Sequence, residues 1–130
     1  MIEQIKHYQE RLSYQWDSAD LAEEIEKNPK IVVLDTRKVF AYQEEHIPGA
    51  TSFPHRNMDE NNTASLDKEM LYICYCDGIG CNGSTKGALK MAKLGFKVRE
   101  LIGGLDWWKR DGYETEGTKA TKGLKIECAC

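Results

Sequence analysis

Leu71-Tyr72-Ile73-Cys74-Tyr75-Cys76-Asp77-Gly78-Ile79-Gly80-Cys81-Asn82-Gly83-Ser84-Thr85 is the stretch on which the reading of the whole chain turns. Its first five residues are aromatic, β-branched and apolar, the composition of a strand buried on both faces. The run stops at Cys76, and three glycines between Cys76 and Gly83 leave no room for a regular element. Ser84 or Thr85 offers a cap for a helix that reaches Leu94, with Gly95 to end it. On that helix Lys86, Lys90 and Lys93 share one stripe, while Ala88, Met91, Ala92 and Gly95 share another. Cys76 therefore stands at the end of a buried strand and faces the N-terminus of the next helix.

Glycine-rich turns let backbone N–H groups converge into a nest that favours negative charge. The following helix adds the positive end of its dipole, roughly half an elementary charge. A thiol held there ionises more readily, and the thiolate is the nucleophile. Cys74, inside the strand, reads instead as a small buried core residue.

The remaining chain supplies a setting for that strand. At 130 residues it suits one domain, and 41% hydrophobic with 30% charged residues is ordinary globular composition. A net charge of −3 argues against non-specific nucleic-acid binding. No apolar run approaches membrane-spanning length, and the first residues lack a signal-peptide layout, so a cytoplasmic location is expected. Five cysteines, an odd number, favour catalysis, redox work or metal over a disulfide framework in a reducing compartment.

In chain order, Ile2, Ile5, Tyr8 and Leu12 predict an amphipathic helix that packs early. A short strand at 13–16 follows, then a helix capped by Asp17 or Ser18 with Leu21, Ala22 and Ile25 inward, closed by Asn28-Pro29. Ile31 to Asp35 reads as a strand interior to a parallel sheet. A short helix over 39–45, a His46-Ile47-Pro48-Gly49-Ala50 turn and a short strand at 51–53 come next. Residues 54–68 read as polar connection with at most one helical turn. Residues 96–101 alternate as a strand, and Gly103-Gly104 turns into a helix carrying Leu105, Trp107 and Trp108. Residues 115–123 are polar and read as mobile, whereas Leu124, Ile126, Cys128 and Cys130 would share one face of an extended strand. Strands alternating with helices predict a parallel sheet covered on both faces.

Asp35-Thr36-Arg37, His46-Ile47-Pro48-Gly49-Ala50, Tyr75-Cys76 with its glycine loop, Gly95-Phe96, and Leu101 to Trp108 with Gly112-Tyr113 together resemble a rhodanese domain. The loop is similar to a subset with a Cys-x-Gly-x-x-Cys-Asn-Gly pattern. The resemblance spans 14–113, leaving an N-terminal helical extension at 1–13 and a C-terminal tail at 114–130. It implies an α/β, three-layer domain with a central, mostly parallel five-stranded sheet. It also implies sulfane-sulfur transfer through a persulfide on Cys76. Asp77, Gly78, Ile79, Gly80, Cys81, Asn82 and Gly83 would surround that persulfide, and Asp35, Arg37 and His46 would be structural. No cofactor and no resident metal are implied. The implied partners are a small-molecule or protein sulfur donor and an acceptor that is a thiol, cyanide or a protein.

The loop departs from the common family pattern in having no arginine between Cys76 and Ser84, and Asp77 adds a negative charge. Weak use of dianionic thiosulfate is therefore expected. Asn82 stands six positions after Cys76, where a phosphatase or arsenate reductase needs arginine to grip an oxyanion. A non-turnover alternative is a thiol-based metal-binding or redox-sensing module using Cys74, Cys76, Cys81, Cys128 and Cys130. Cys81 is a candidate resolving thiol for Cys76, or else packing beneath the loop.

Overall fold

The computed structural model describes residues 1–120, so the expected strand through Cys128 and Cys130 lies outside the described residues. Five strands, β1 (Gln15–Trp16), β2 (Ile31–Asp35), β3 (Thr51–Ser52), β4 (Leu71–Tyr75) and β5 (Lys97–Leu101), form one parallel sheet in the order β1-β5-β4-β2-β3. β4 is central, with Leu71–Tyr75 in register with Ile31–Asp35 on one side and Leu71–Cys74 with Lys97–Glu100 on the other. Because both neighbours and both faces enclose it, an apolar run without polar alternation is what the position requires.

Successive side chains of these strands feed two cores. Val33, Ile73, Tyr75 and Leu101 point to one face, where Leu21 of α2 (Ser18–Lys27) and Leu105 and Trp108 of α6 (Gly104–Arg110) cover them. Leu34, Tyr72 and Cys74 point to the other, against Met58 and against Met91 of α5 (Gly83–Lys93). Tyr42 of α3 (Val39–Glu44) joins the first core, so α3 and α5 lie on opposite faces. A crevice opens between the loops that lead to them, at the carboxyl ends of β2 and β4.

Asp17 caps α2 through a reciprocal bond pair with Asp20. The polar stretch 54–68 contains a 3-10 turn, His55–Asn57, and α4 (Glu60–Thr63), capped by Asp59.

Five expectations need correction. α1 (Ile2–Tyr14) forms, but it buries no residue, and Ile2, Ile5, Tyr8 and Leu12 are exposed, because the neighbouring strand edge is only two residues long. Ile25 is also exposed. Asn82, not Ser84 or Thr85, precedes the first turn of α5, and both hydroxyls are instead spent on Glu100 of β5. The inward face of α5 is Gly83, Ser84, Gly87 and Met91, with Ala92 outside, since Gly87 packs where Thr36 and Met58 leave no space for a β-carbon. Finally, residues 115–120 are held in place: Thr115 is buried, and Glu116 exchanges backbone bonds with His46 at 2.8 and 2.9 Å.

Candidate active site

Cys76 follows β4 directly and is itself buried at 5% exposure. Its sulfur lies against the first turn of α5: a β-carbon on Gly83 would stand 3.0 Å from Cys76 Sγ. The positive end of the α5 dipole therefore acts on that sulfur. The backbone behind the cysteine is fixed from α6, where Leu105 N–H donates to Cys76 O at 3.0 Å and Asp106 N–H to Asp77 O at 2.8 Å. Gly104, at φ +56°, admits this contact, because any β-carbon there would overlap the Cys76 carbonyl.

The loop glycines work differently from the expected nest. None of Gly78, Gly80 and Gly83 takes positive φ. Gly78 instead allows close approach to Asp106, whose Cβ is 3.2 Å from where a Gly78 Cβ would be, and Gly80 has open space around it. Cys81 N–H donates to Gly78 O at 3.1 Å, folding the loop back on itself. Cys76 and Cys81 are joined as a disulfide, with Cα atoms 6.2 Å apart.

Two cavities meet at this sulfur pair. The first, about 260 Å³, is bordered by the loop and by Arg37, Lys38, Phe40, His55 and Arg56. The second, about 240 Å³, lies on the other side, toward Ile79, Thr85 and Glu100. Asn82 and Gly83 border the first, and Gly78 and Ile79 the second.

Charge in the first cavity follows from a chain of pairs. Asp35, fully buried, takes Arg37 through two guanidinium nitrogens and accepts from Tyr75 O–H at 2.8 Å. Arg37 reaches on to Asp77 at 2.9 Å. Burial disfavours the Arg37 charge, but its bonds to Asp35 and then Asp77 outweigh this and hold it firmly cationic. Burial, then Asp35, pushes the Tyr75 hydroxyl up, so it remains a donor. Asp77, expected to repel anions, is thus compensated. Lys38 and Arg56 line the cavity with no ion-pair partner among the described residues. Burial and then Lys90, Lys86 and Arg56 lower the His55 pKa, and its enclosed Nδ1 has no hydrogen-bond partner among the described residues.

His46 borders neither cavity; it stacks on Tyr42 at 3.9 Å, with Nδ1 2.6 Å from Tyr42 O. Cys74 is fully buried, and its thiol is pushed up to about 12 by burial, then Glu100. Among the described residues no three metal-ligating side chains come together, and no helix is long and apolar enough to cross a membrane.

A family model described as a rhodanese-like domain matches residues 17–111, most of the chain. The chain belongs to the rhodanese-like family. It is 37% identical over 88 residues, 66% of this chain and 78% of the relative, to thiosulfate sulfurtransferase GlpE of Coxiella burnetii. Among solved structures it superposes on the BH2092 protein of Bacillus halodurans with TM-score 0.87 and 44% identity, covering 98% and 93% of the two chains. For the Alr3790 protein of Anabaena sp. the values are 0.71 and 31%, over 78% and 80%. These likenesses place it with the rhodanese-type sulfurtransferases.

Sequence reasoning missed the far wall of this rhodanese-like site. His55 and Arg56 lie in a stretch that reads as mere connection, and no local pattern marks them. Thr36 was in view only as part of a motif. It holds the two strand ends together, its N–H and hydroxyl both donating to Tyr75 O at 3.0 and 2.8 Å.

Proposed function

We propose that the reduced protein moves sulfane sulfur through a persulfide on Cys76. The observation that carries this is the Cys76 sulfur, set at the first turn of α5 where a cation-lined cavity ends. The thiolate attacks the outer sulfur of the donor, the donor's S–S bond breaks, and the remainder leaves with the bonding pair. With thiosulfate as donor the leaving group is sulfite. An acceptor thiol, cyanide or a protein then takes the outer sulfur in a second displacement, which splits one transfer into two easier steps.

Lys38 and Arg56 supply the attraction that the arginine-free loop lacks, and the Arg37 bond to Asp77 removes the opposing charge. A small anionic donor is therefore favoured, in keeping with the thiosulfate named for the Coxiella relative. A cytoplasmic location, with a small-molecule or protein sulfur donor and a thiol, cyanide or protein acceptor as partners, completes the proposal. The test is intact-mass spectrometry of pre-reduced Cys81→Ala protein, in which Cys76 is the one loop thiol, mixed with thiosulfate. A gain of one sulfur atom, mapped to the Cys76 peptide and absent in Cys76→Ser, is the expected result. No adduct with thiosulfate or with a low-molecular-weight persulfide overturns the reading.

A further inference from the structure

We propose that Cys81 discharges the Cys76 persulfide inside the loop, releasing hydrosulfide and closing the Cys76–Cys81 disulfide. The protein would then convert sulfane sulfur to sulfide at the expense of a thiol or dithiol reductant. The inference rests on the Cys76 persulfide reading.

The fold holds these two sulfurs in bonding contact without giving up other structure. The loop keeps its Cys81–Gly78 backbone bond, and α6 keeps both bonds to Cys76 and Asp77. A Cα separation of 6.2 Å is within the ordinary disulfide range, roughly 4.4–6.8 Å, so no backbone movement is demanded. Gly80, which precedes Cys81, has open space where a β-carbon would stand, so nothing packs on the loop at that point. The third described cysteine cannot compete, because Cys74 is fully buried in β4 and faces the α5 core.

The step balances. The Cys81 thiolate attacks the inner, Cys76-bound sulfur of Cys76–S–SH. The bond between inner and outer sulfur breaks, and the outer sulfur leaves with the pair as HS⁻. The sulfane sulfur is reduced by two electrons, and the two cysteine sulfurs are oxidised to the disulfide. An external dithiol, or two monothiols, then reduces the disulfide and becomes oxidised in turn.

Exposure sets the direction of that reopening. Both cysteines border the second cavity beside Ile79, but Cys76 is buried whereas Cys81 is half-buried and so the more exposed of the two. An incoming thiolate reaches Cys81 from that side without crossing the cationic donor cavity. Attack at Cys81 expels Cys76 as thiolate, the form that the α5 N-terminus stabilises and that the next sulfur transfer needs.

A single-turnover experiment without reductant separates this route from ordinary transfer. Full-length protein is reduced, freed of reductant, mixed with one equivalent of glutathione persulfide or thiosulfate, and followed by intact mass, peptide mapping and sulfide release. Wild type is expected to end two hydrogens lighter, with a Cys76–Cys81 linked peptide and one equivalent of sulfide. Cys81→Ser, with Cys81→Ala as a second variant, is expected to stay heavier by one sulfur, its persulfide living at least tenfold longer. A wild-type persulfide as long-lived as that of both variants overturns the inference but leaves the sulfurtransferase reading intact. A disulfide to any other cysteine overturns it as well. Failure of wild type and both variants to acquire sulfur overturns the persulfide reading itself, and this inference with it.

Discussion

At the residue scale, two cysteines two positions apart have opposite roles because Cys74 lies inside β4, enclosed in the core, whereas Cys76 stands just past the strand end at the loop and its cavities. Cys76→Ser is expected to abolish sulfur transfer with little change in the urea midpoint of the reduced protein. Cys74→Ser should retain transfer but lose about 1–3 kcal/mol, the cost of a hydroxyl in an apolar core. Cys74 also carries a pH signature. Its folded pKa of about 12 exceeds the unfolded thiol's, roughly 8.5, so the stability it contributes is complete below the lower value and is lost as pH rises toward the higher. Urea midpoints across that alkaline window should fall less steeply in Cys74→Ala than in wild type. Arg37 and Asp77 form a second contrast. Arg37→Ala leaves the buried Asp35 carboxylate without its cation and is expected to cost about 3–5 kcal/mol by chemical denaturation. Asp77 is exposed, so Asp77→Ala should cost under about 1 kcal/mol. That change frees an Arg37 N–H toward the cavity, and the KM for thiosulfate should fall severalfold.

At the element scale, the first half of α5 meets the sheet through small residues, Gly83, Ser84 and Gly87, with Met91 the large buried side chain after them. Gly87→Ala would gain helix propensity, up to about 1 kcal/mol, yet its β-carbon would stand 2.9 Å from Thr36 Cγ2. Thr36 cannot yield, because its hydroxyl bridges to Tyr75 O in the buried strand end. Net destabilisation of about 1–3 kcal/mol is expected, read as a lowered urea midpoint. The first turn of α5 shows the same constraint in the site itself. A side chain at Gly83 would meet both loop sulfurs and His55, whereas Asn82 is exposed. Asn82→Lys is therefore the change expected to lower the KM for thiosulfate at nearly constant stability, and Gly83→Lys the one expected to disrupt the loop.

At the scale of the whole molecule, the site is assembled by topology. β4 lies between β2 and β5, so the turns after all three strands gather at one edge of the sheet. The cysteine loop, the Asp35-Thr36-Arg37 turn and the Gly103-Gly104 turn then become neighbours although they are far apart in the chain. The first ten residues, most of α1, stand outside this assembly. No residue of α1 is buried, and its ties to the sheet, Arg99 to Leu12 O and Arg11 to Gln15 Oε1, both fall in its last turn, where Arg11 borders the second cavity. Deleting residues 1–10 should therefore leave both the thermal midpoint and single-turnover sulfur transfer within experimental error of wild type.

What the sequence determined by itself was whatever local pattern can encode. The two-face burial of β4 was legible in its unbroken apolar run, the end of α5 in Gly95, and the position of Cys76 in the change from strand to glycine loop. What only tertiary structure decided depends on residues brought together across long loops. His55 and Arg56 became one wall of the cavity because the sheet order carries the segment after β3 past the cysteine loop. Gly87 rather than Ala92 faces inward because Thr36, from another turn, fills the space beside it. The outward apolar stripe of α1 shows the converse. Periodicity states that a face could be buried, but burial needs a partner surface, and a two-residue edge strand supplies almost none.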